Sequence, residues 1–295
     1  EGGEASVDSD SVLLVSGGAR GVTAATVISL GAATQASFVL LGRTALGQEP
    51  AAVAGIEDDA GMKRALLIQA QAKGEKVSPA GLGKQVRQVM AWREIRSTLR
   101  QLEQDGCKAR YASVDVTDSV ALKALVSEVE TTYGPITGVI HGAGVLADKA
   151  IADKTDDQFE RVYSTKVDGL RALQLATADS PLRLWVQFSS VAARAGNNGQ
   201  CDYAMANEVL NKVAGQMAVE RPGLRVKSMN WGPWEGGMVT PALKARFQAM
   251  GVPLIPLAQG AQMLVDEVQS SAPSRVELVL GGEPTTEALL DSGKA

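Results

Sequence analysis

The sequence predicts an α/β fold: a doubly wound parallel sheet of about seven strands with helices on both faces and a helical insertion between strands 2 and 3. Two patterns predict it. Short apolar runs alternate with longer stretches of helical spacing, and the first run passes straight into a glycine-rich turn. Val12 to Val15 is the first strand candidate, Ser37 to Leu41 the second, Lys108 to Val114 the third and Ile136 to Ile140 the fourth. Leu182 to Phe188, Leu224 to Met229 and Val276 to Leu280 complete the set. Helical length and spacing fall between them at Ala121 to Thr132, Asp156 to Ala178 and Tyr203 to Val219.

One connection is too long for a simple crossover. From Arg43 to Lys108 there are about 65 residues, against the dozen or so that a βαβ unit requires. The segment holds a Gly/Pro/acid-rich piece from Gly47 to Gly61, a helix from Met62 to Lys73, and a loop from Gly74 to Gly83. A second helix follows, with Val86, Val89, Met90, Ile95, Leu99 and Leu102 close to one face. That helix serves as the crossover, which leaves roughly 40 inserted residues, about 45–83. Its apolar faces predict an insertion folded onto the body. Residues 11–295 read as one domain, preceded by an acidic linker over residues 1–10.

Composition narrows the chemistry. With one His, and with Cys107 and Cys201 far apart, no Cys₄ or Cys₂His₂ zinc site is expected, nor a disulfide framework or a Cys/His dyad. Catalysis would rest on Ser, Tyr, Lys, Asn, Asp or Glu, or on a cofactor. A net charge of -4 and a pI near 5.3 offer no basic stripe for nucleic acid. No apolar stretch has the length of a membrane span, and the first residues are acidic where a signal peptide would be basic. A reducing, cytoplasmic setting follows as the default expectation. The chain opens on Glu1 without a Met, as a piece excised from a longer protein would.

The glycine-rich turn reads Ser16-Gly-Gly-Ala-Arg-Gly-Val-Thr23. At a strand-to-helix bend of this kind, backbone N–H groups and the helix N-terminus can approach a pyrophosphate, as in Rossmann-type folds. Gly17, Gly18, Ala19, Arg20, Gly21 and Val22 are therefore candidate cofactor contacts, the alternative being a purely structural turn. The second strand ends at Gly42-Arg43, about 20 residues past the turn, where Asp or Glu would suit NAD and Arg accommodates a 2′-phosphate. Arg43, with help from Arg20, points to NADPH; the alternative is an ordinary surface Arg. Asp115 and Val116, after the third strand, are placed to meet the adenine, although Asp115 or Asp118 could equally cap the next helix. The fourth strand ends His141-Gly142-Ala143-Gly144, where small residues leave space for a cofactor. His141 is the lone His; a packed, hydrogen-bonded strand-end residue is the favoured reading over a catalyst.

After the fifth strand the chain runs Phe188-Ser-Ser190 and, past a Gly/Asn-rich loop, Tyr203-Ala-Met-Ala-Asn207. Ligands of doubly wound sheets bind outside the carboxyl ends of the strands, so these hydroxyls lie at the expected end. Tyr203 and Asn207, four apart, share a helix face.

These residues resemble a short-chain dehydrogenase/reductase and, more narrowly, the catalytic half of a ketoreductase domain from a polyketide or fatty acid synthase. The resemblance runs from Val12 to about Leu280, the insertion apart. Its most specific element is an exchange of positions. Ordinary members carry Tyr-x-x-x-Lys, whereas synthase ketoreductases carry Tyr-x-x-x-Asn and place the Lys earlier, in Lys-Val-x-Gly-x-x-x-Leu. This chain has Tyr203 to Asn207 and Lys166-Val-Asp-Gly-Leu-Arg-Ala-Leu173. Asn230-Trp-Gly-Pro-Trp234 with Gly236-Gly-Met238 is a further match.

The resemblance implies reduction of a β-keto group by NADPH. Tyr203 would be the acid and also a cofactor contact, Lys166 the cation that lowers its pKa and binds the nicotinamide ribose, Ser190 the hydrogen-bond donor to the carbonyl, and Asn207 the holder of a relay water, with Ser189 structural. It also implies a substrate tethered to an acyl carrier protein within a multidomain synthase. Val145-Leu-Ala-Asp148 stands where 3R-forming members carry Leu-Asp-Asp, and Ala195 where 3S-forming members carry a Trp. Asp148 is thus assigned to stereocontrol and a 3R product is expected; the plain alternative is a loop cap. Thr23 replaces the last glycine of the usual turn, which predicts a helix slightly further from the strand. The insertion and the wording of the glycine turn are closer to ketoreductases of polyunsaturated fatty acid synthases. The pseudo-reductase half that precedes such domains is absent from this sequence. A free-standing reductase of small carbonyls and a non-catalytic reductase-fold module are the competing readings.

Overall fold

The computed structural model describes residues 7–239, 241–270 and 275–281. Seven strands form one parallel sheet in the order β3-β2-β1-β4-β5-β6-β7. They are β1 (Val12–Ser16), β2 (Ser37–Gly42), β3 (Ala109–Ser113), β4 (Gly138–His141), β5 (Leu184–Ser190), β6 (Arg225–Trp231) and β7 (Glu277–Leu280). The order reverses between β1 and β4, which opens a crevice at their carboxyl ends. All seven expected strands are present. β1, β4, β5 and β6 run past their apolar stretches to Ser16, His141, Ser190 and Trp231, so the sheet delivers polar groups to that crevice.

Nine helices are described: α1 (Gly21–Thr34), α2 (Asp59–Ala72), α3 (Pro79–Gln104), α4 (Ser119–Tyr133), α5 (Asp156–Ala176), α6 (Ala192–Ala195), α7 (Cys201–Glu220), α8 (Pro241–Ala249) and α9 (Leu257–Gln269). Two apolar cores lie on opposite sheet faces. Leu13, Val15, Phe38 and Leu40 point to one, against α1 and α9, while Leu14, Val39, Leu41 and Val139 point to the other, against α4, α5 and α7. This alternation along buried strands is what a sheet covered on both sides requires. Val7 is buried in the first core and Asp8 pairs with Arg183, so these two residues, assigned to the acidic linker over residues 1–10, belong instead to the body.

The insertion forms a third core, in which Val53, Met62 and Leu66 pack on Leu82, Val86 and Val89 of α3. Arg93 ties it down, donating to Glu49 and to the carbonyls of Val53 and Ile56. Two sequence expectations need correction. The loop assigned to Gly74–Gly83 stops short, because Ser78 caps α3 by accepting from Gly81 N–H and Pro79 opens the helix. Met90, assigned to the buried face of α3, is 44% exposed, since Val89 already occupies that face. Among the described residues no helix is long and apolar enough to cross a membrane.

Candidate active site

The turn between β1 and α1 sits directly on the end of β4. Gly17 has φ +71, and a Cβ there would lie 3.0 Å from Ala143 Cα and N, so backbone meets backbone at this crossing. Behind it is a cavity of about 550 Å³ lined by Gly17, Ala19, Arg20, Gly21 and Val22 from the turn, and by Gly42, Arg43, Asp115 and Val116 from the ends of β2 and β3. Gly142, Ala143, Gly144, Val145, Thr165 and Met238 continue the lining. All but one of the turn and strand-end residues expected at a cofactor site thus surround one space. Gly18 faces inward instead, where a Cβ would meet Val15 at 2.5 Å.

Asp115 accepts from the backbone and the hydroxyl of Thr117, while Asp118 caps α4 through Ala121 N–H. The two candidate caps therefore divide the work. Thr23 does not stand over empty space either: its side chain fills the room left by Gly142, where a Cβ would lie 2.6 Å from it.

His141 is fully buried. Its Nε2 lies 2.9 Å from Lys166 C=O, so it donates there, and its Nδ1 accepts from Ser16 Oγ at 2.7 Å. Ser16 in turn accepts from Ala143 N–H. Burial, and then the nearby Lys166, push the imidazole pKa down to about 3 from 6.5. The favoured strand-end reading of this residue matches its surroundings. Because the folded value is depressed, this contribution to stability is present above pH 6.5 and lost as pH falls from 6.5 toward 3. The loss approaches about 1.4 kcal/mol per pH unit. His141→Gln is expected to show a shallower acid limb than the wild type in denaturant midpoints measured below pH 6.5.

Lys166 rises from the middle of α5 and is 3% exposed. Its Nζ donates to Phe188 C=O at 2.5 Å and lies 5.9 Å from the Tyr203 ring centroid. A Cβ on Gly144 would approach Lys166 Cε to 2.9 Å, so the amine end lies against the floor where the cavity ends. Desolvation lowers its pKa from 10.5 to about 7. The Tyr203 phenol moves the other way: burial raises its pKa, hydrogen bonding from Asn207 and Ser190 opposes the rise, and Asp148 adds to it.

Asn207 is fully buried, donating to Tyr203 C=O at 2.8 Å, while its Oδ1 has no partner. Ser190 Oγ accepts from Ala192 N–H, and Ser189 binds Asn207 C=O and Asn230 Oδ1. The fold thus gathers Lys166, Ser190, Tyr203 and Asn207 around one phenol. None of the four lines this cavity, whose wall runs from Gly144 on to Val145, Thr165 and Met238. Asp148 borders a separate hollow with Asn197, Gly199 and Cys201, and accepts from Gln200 Nε2 at 3.0 Å. Ala195 is exposed at the end of α6.

A family model described as KR domain matches residues 11–236. The chain belongs to the KR, or ketoreductase, domain family. It is 40% identical over 278 residues to a component of the polyunsaturated fatty acid synthase of Thraustochytrium, a match that covers 92% of this chain and 10% of that protein. Polyketide synthase PksN of Bacillus subtilis is 37% identical over 149 residues, 48% of this chain and 3% of that protein. The chain therefore spans a small part of these relatives. Among solved structures, an A1-type ketoreductase is 26% identical with a TM-score of 0.69, covering 96% of this chain and 49% of that one. A ketoreductase domain of the bacillaene assembly line shares the fold at 24% identity, with a TM-score of 0.71 and coverage of 95% and 58%. A Burkholderia cenocepacia short-chain dehydrogenase in complex with NADP does so at 18%, with 0.69 and coverage of 92% and 97%. The KR chain thus belongs to an oxidoreductase family and has the short-chain dehydrogenase fold.

Sequence reasoning missed two contacts that shape this site. Glu94 on α3 accepts from Gly21 N–H at 2.8 Å and from Arg20 Nε at 2.7 Å, and Thr98, one turn later, donates to Ala19 C=O at 3.0 Å. The helix that carries the insertion therefore grips the ketoreductase's glycine turn at both polar ends. The available signal was the i, i+4 pair Glu94 and Thr98 beside the buried face of Ala91 and Ile95. The second contact is a buried ion pair between Lys154 and Asp202, 2.7 Å apart, beside Tyr203. It joins distant segments and has no local signature.

Proposed function

We infer that this domain reduces the 3-keto group of a thioester-linked acyl chain to a 3-hydroxyl, using NADPH, with the acyl chain carried on an acyl carrier protein of a multidomain synthase. The single observation that carries the reading is the convergence of Lys166, Ser190 and Asn207 on the Tyr203 phenol beside a nucleotide-sized cavity. Gly17, Gly21, Val22, Gly42, Asp115 and Val116 would hold the dinucleotide, and Arg20 and Arg43, both lining the cavity, favour the one with a 2′-phosphate. Gly18 and Ala19 shape the turn for it, and Gly142, Ala143 and Gly144 leave it room. The partnerless Asn207 Oδ1 is an acceptor that fits a water or a cofactor hydroxyl.

The bound cofactor supplies the hydride. Ser190 and Tyr203 donate to the substrate oxygen as negative charge builds there, and Tyr203 gives up its proton. Lys166, in its charged form, stabilises the phenolate left behind and holds the nicotinamide ribose. Asn207 keeps a water in line to return the proton. Asp148, fixed by Gln200 beside the first turn of α7, selects which face of the ketone meets Tyr203, and we assign a 3R product. The chain acts as one domain with the insertion at about 45–83, in the cytoplasm, next to other synthase domains.

The test is turnover of a β-ketoacyl thioester with chiral analysis of the product. A 3R alcohol, formed with NADPH at a kcat/KM about tenfold or more above that with NADH, is expected from one charge-assisted phosphate contact. A 3S alcohol removes the role of Asp148, and equal use of both cofactors removes that of Arg20 and Arg43.

A further inference from the structure

Lys154 and Asp202 are the most deeply buried ion pair among the described residues, with side chains 4% and 1% exposed. Lys154 ends the segment that follows β4, just before Thr155 caps α5; Asp202 is the second residue of α7, directly before Tyr203. Lys154 Nζ donates to Asp202 Oδ2 at 2.7 Å and to Ala147 C=O at 2.8 Å. The other Asp202 oxygen accepts from the backbone N–H of Tyr203 at 2.9 Å. One ammonium therefore bridges the loop that carries Asp148 to the peptide unit of Tyr203.

Two weaker links run alongside it, Lys149 N–H to Gly199 C=O at 3.0 Å and Gln200 to Asp148. Removing two charges from water is costly, and a well-packed apolar pair at such a site is often equally stable. Stability alone is thus a poor reason for a charged pair here. What the charges add is directionality: Nζ fixes two acceptors on different segments, and Asp202 fixes the backbone N–H of the residue that carries the phenol.

We propose that Lys154 and Asp202 are positioning residues that lock the Ala147–Asp148 loop to the first turn of α7, setting the approach of the ketone to Tyr203. Neither lines the cavity, and their contact with Tyr203 is to its backbone N–H, not its phenol. Their influence falls on kcat and on the hand of the product, not on cofactor affinity. This inference rests on the reductase reading above.

The experiment compares wild type, Lys154→Met, Asp202→Asn and the double variant Lys154→Met/Asp202→Leu. Readouts are thermal unfolding, NADPH binding by fluorescence, kcat and KM for a β-ketoacyl thioester, and the 3R to 3S ratio. The single variants are expected to lose stability. In the double variant stability returns and NADPH binding stays at the wild-type level, yet kcat remains at least about tenfold down and the product is mixed. Should Lys154→Met fail to fold, Asp202→Asn, which keeps the shape and an acceptor for Tyr203 N–H, and the double variant still decide. A folded double variant with wild-type kcat and a single product hand overturns the proposal, as does an unchanged Asp202→Asn. A wild type that binds NADPH but does not turn over removes the underlying reading, and this inference with it.

Discussion

Tyr203→Phe is expected to lower kcat by about 10²–10⁴ while leaving NADPH affinity and thermal stability close to wild type. In the proposed reaction the phenol gives its proton to the reduced carbonyl. Removing its oxygen leaves Ser190 to hydrogen-bond the substrate but nothing to complete the transfer. Burial raises the Tyr203 pKa, so the phenol is protonated at neutral pH and its proton leaves only as negative charge builds on the substrate oxygen. The ring stays in the substitution, and with it the contact beneath Lys166. Steady-state kinetics beside a denaturation curve checks both halves of the expectation. A variant with near wild-type kcat would take Tyr203 out of the acid role.

Lys166→Met is the second large effect, and its signature is a loss of activity without a loss of fold. The amine is buried with its pKa lowered to about 7, so at neutral pH the folded protein carries a desolvated group that is only partly charged. Replacing it with an apolar chain of similar length relieves that desolvation, at the cost of one hydrogen bond to Phe188 C=O. The melting temperature is expected to stay within a few degrees of wild type, while kcat/KM falls by at least about 10².

Wild-type pH dependence follows from the same value. In the proposed reaction the charged form of Lys166 favours the Tyr203 phenolate left as the proton leaves, and in the free protein that form disappears as pH rises through about 7. The kcat/KM for reduction is therefore expected to fall above about pH 7, where an ordinary lysine would hold it flat to beyond pH 9. His141 adds no second limb near neutrality, because its pKa lies near 3. Loss of the alkaline limb in a weakly active Lys166→Met protein ties the limb to this residue.

Much of this architecture is legible along the chain because it is local. Buried parallel strands announce themselves as apolar runs, and the glycine turn, the strand-end Arg43 and the Tyr203 to Asn207 helix face each lie within one segment. Sequence spacing also separates the insertion from its crossover helix. The parts that stay hidden are pairings across long separations. The Glu94 and Thr98 pair signals a polar contact beside the buried face of its helix but not that its partner is the glycine turn, and nothing near Lys154 indicates Asp202. Thr23 looks like a poor substitute for glycine until Gly142, on another strand, is seen to leave the space it fills. Met90 illustrates the opposite error: apolar character at nearly the right angle, yet left at the surface because its neighbour took the buried position. Periodicity specifies faces and elements; the side-chain geometry of the site depends on which elements the sheet order brings together.

The most direct test of the central claim is oxidation of NADPH by the folded wild-type chain in the presence of a β-ketoacyl thioester, run beside Tyr203→Phe. Substrate-dependent consumption of NADPH matched by formation of the 3-hydroxyacyl product, and lost by at least about 10² in the variant, is the predicted result. A wild-type protein that binds NADPH, melts cooperatively and leaves the thioester unreduced would contradict it.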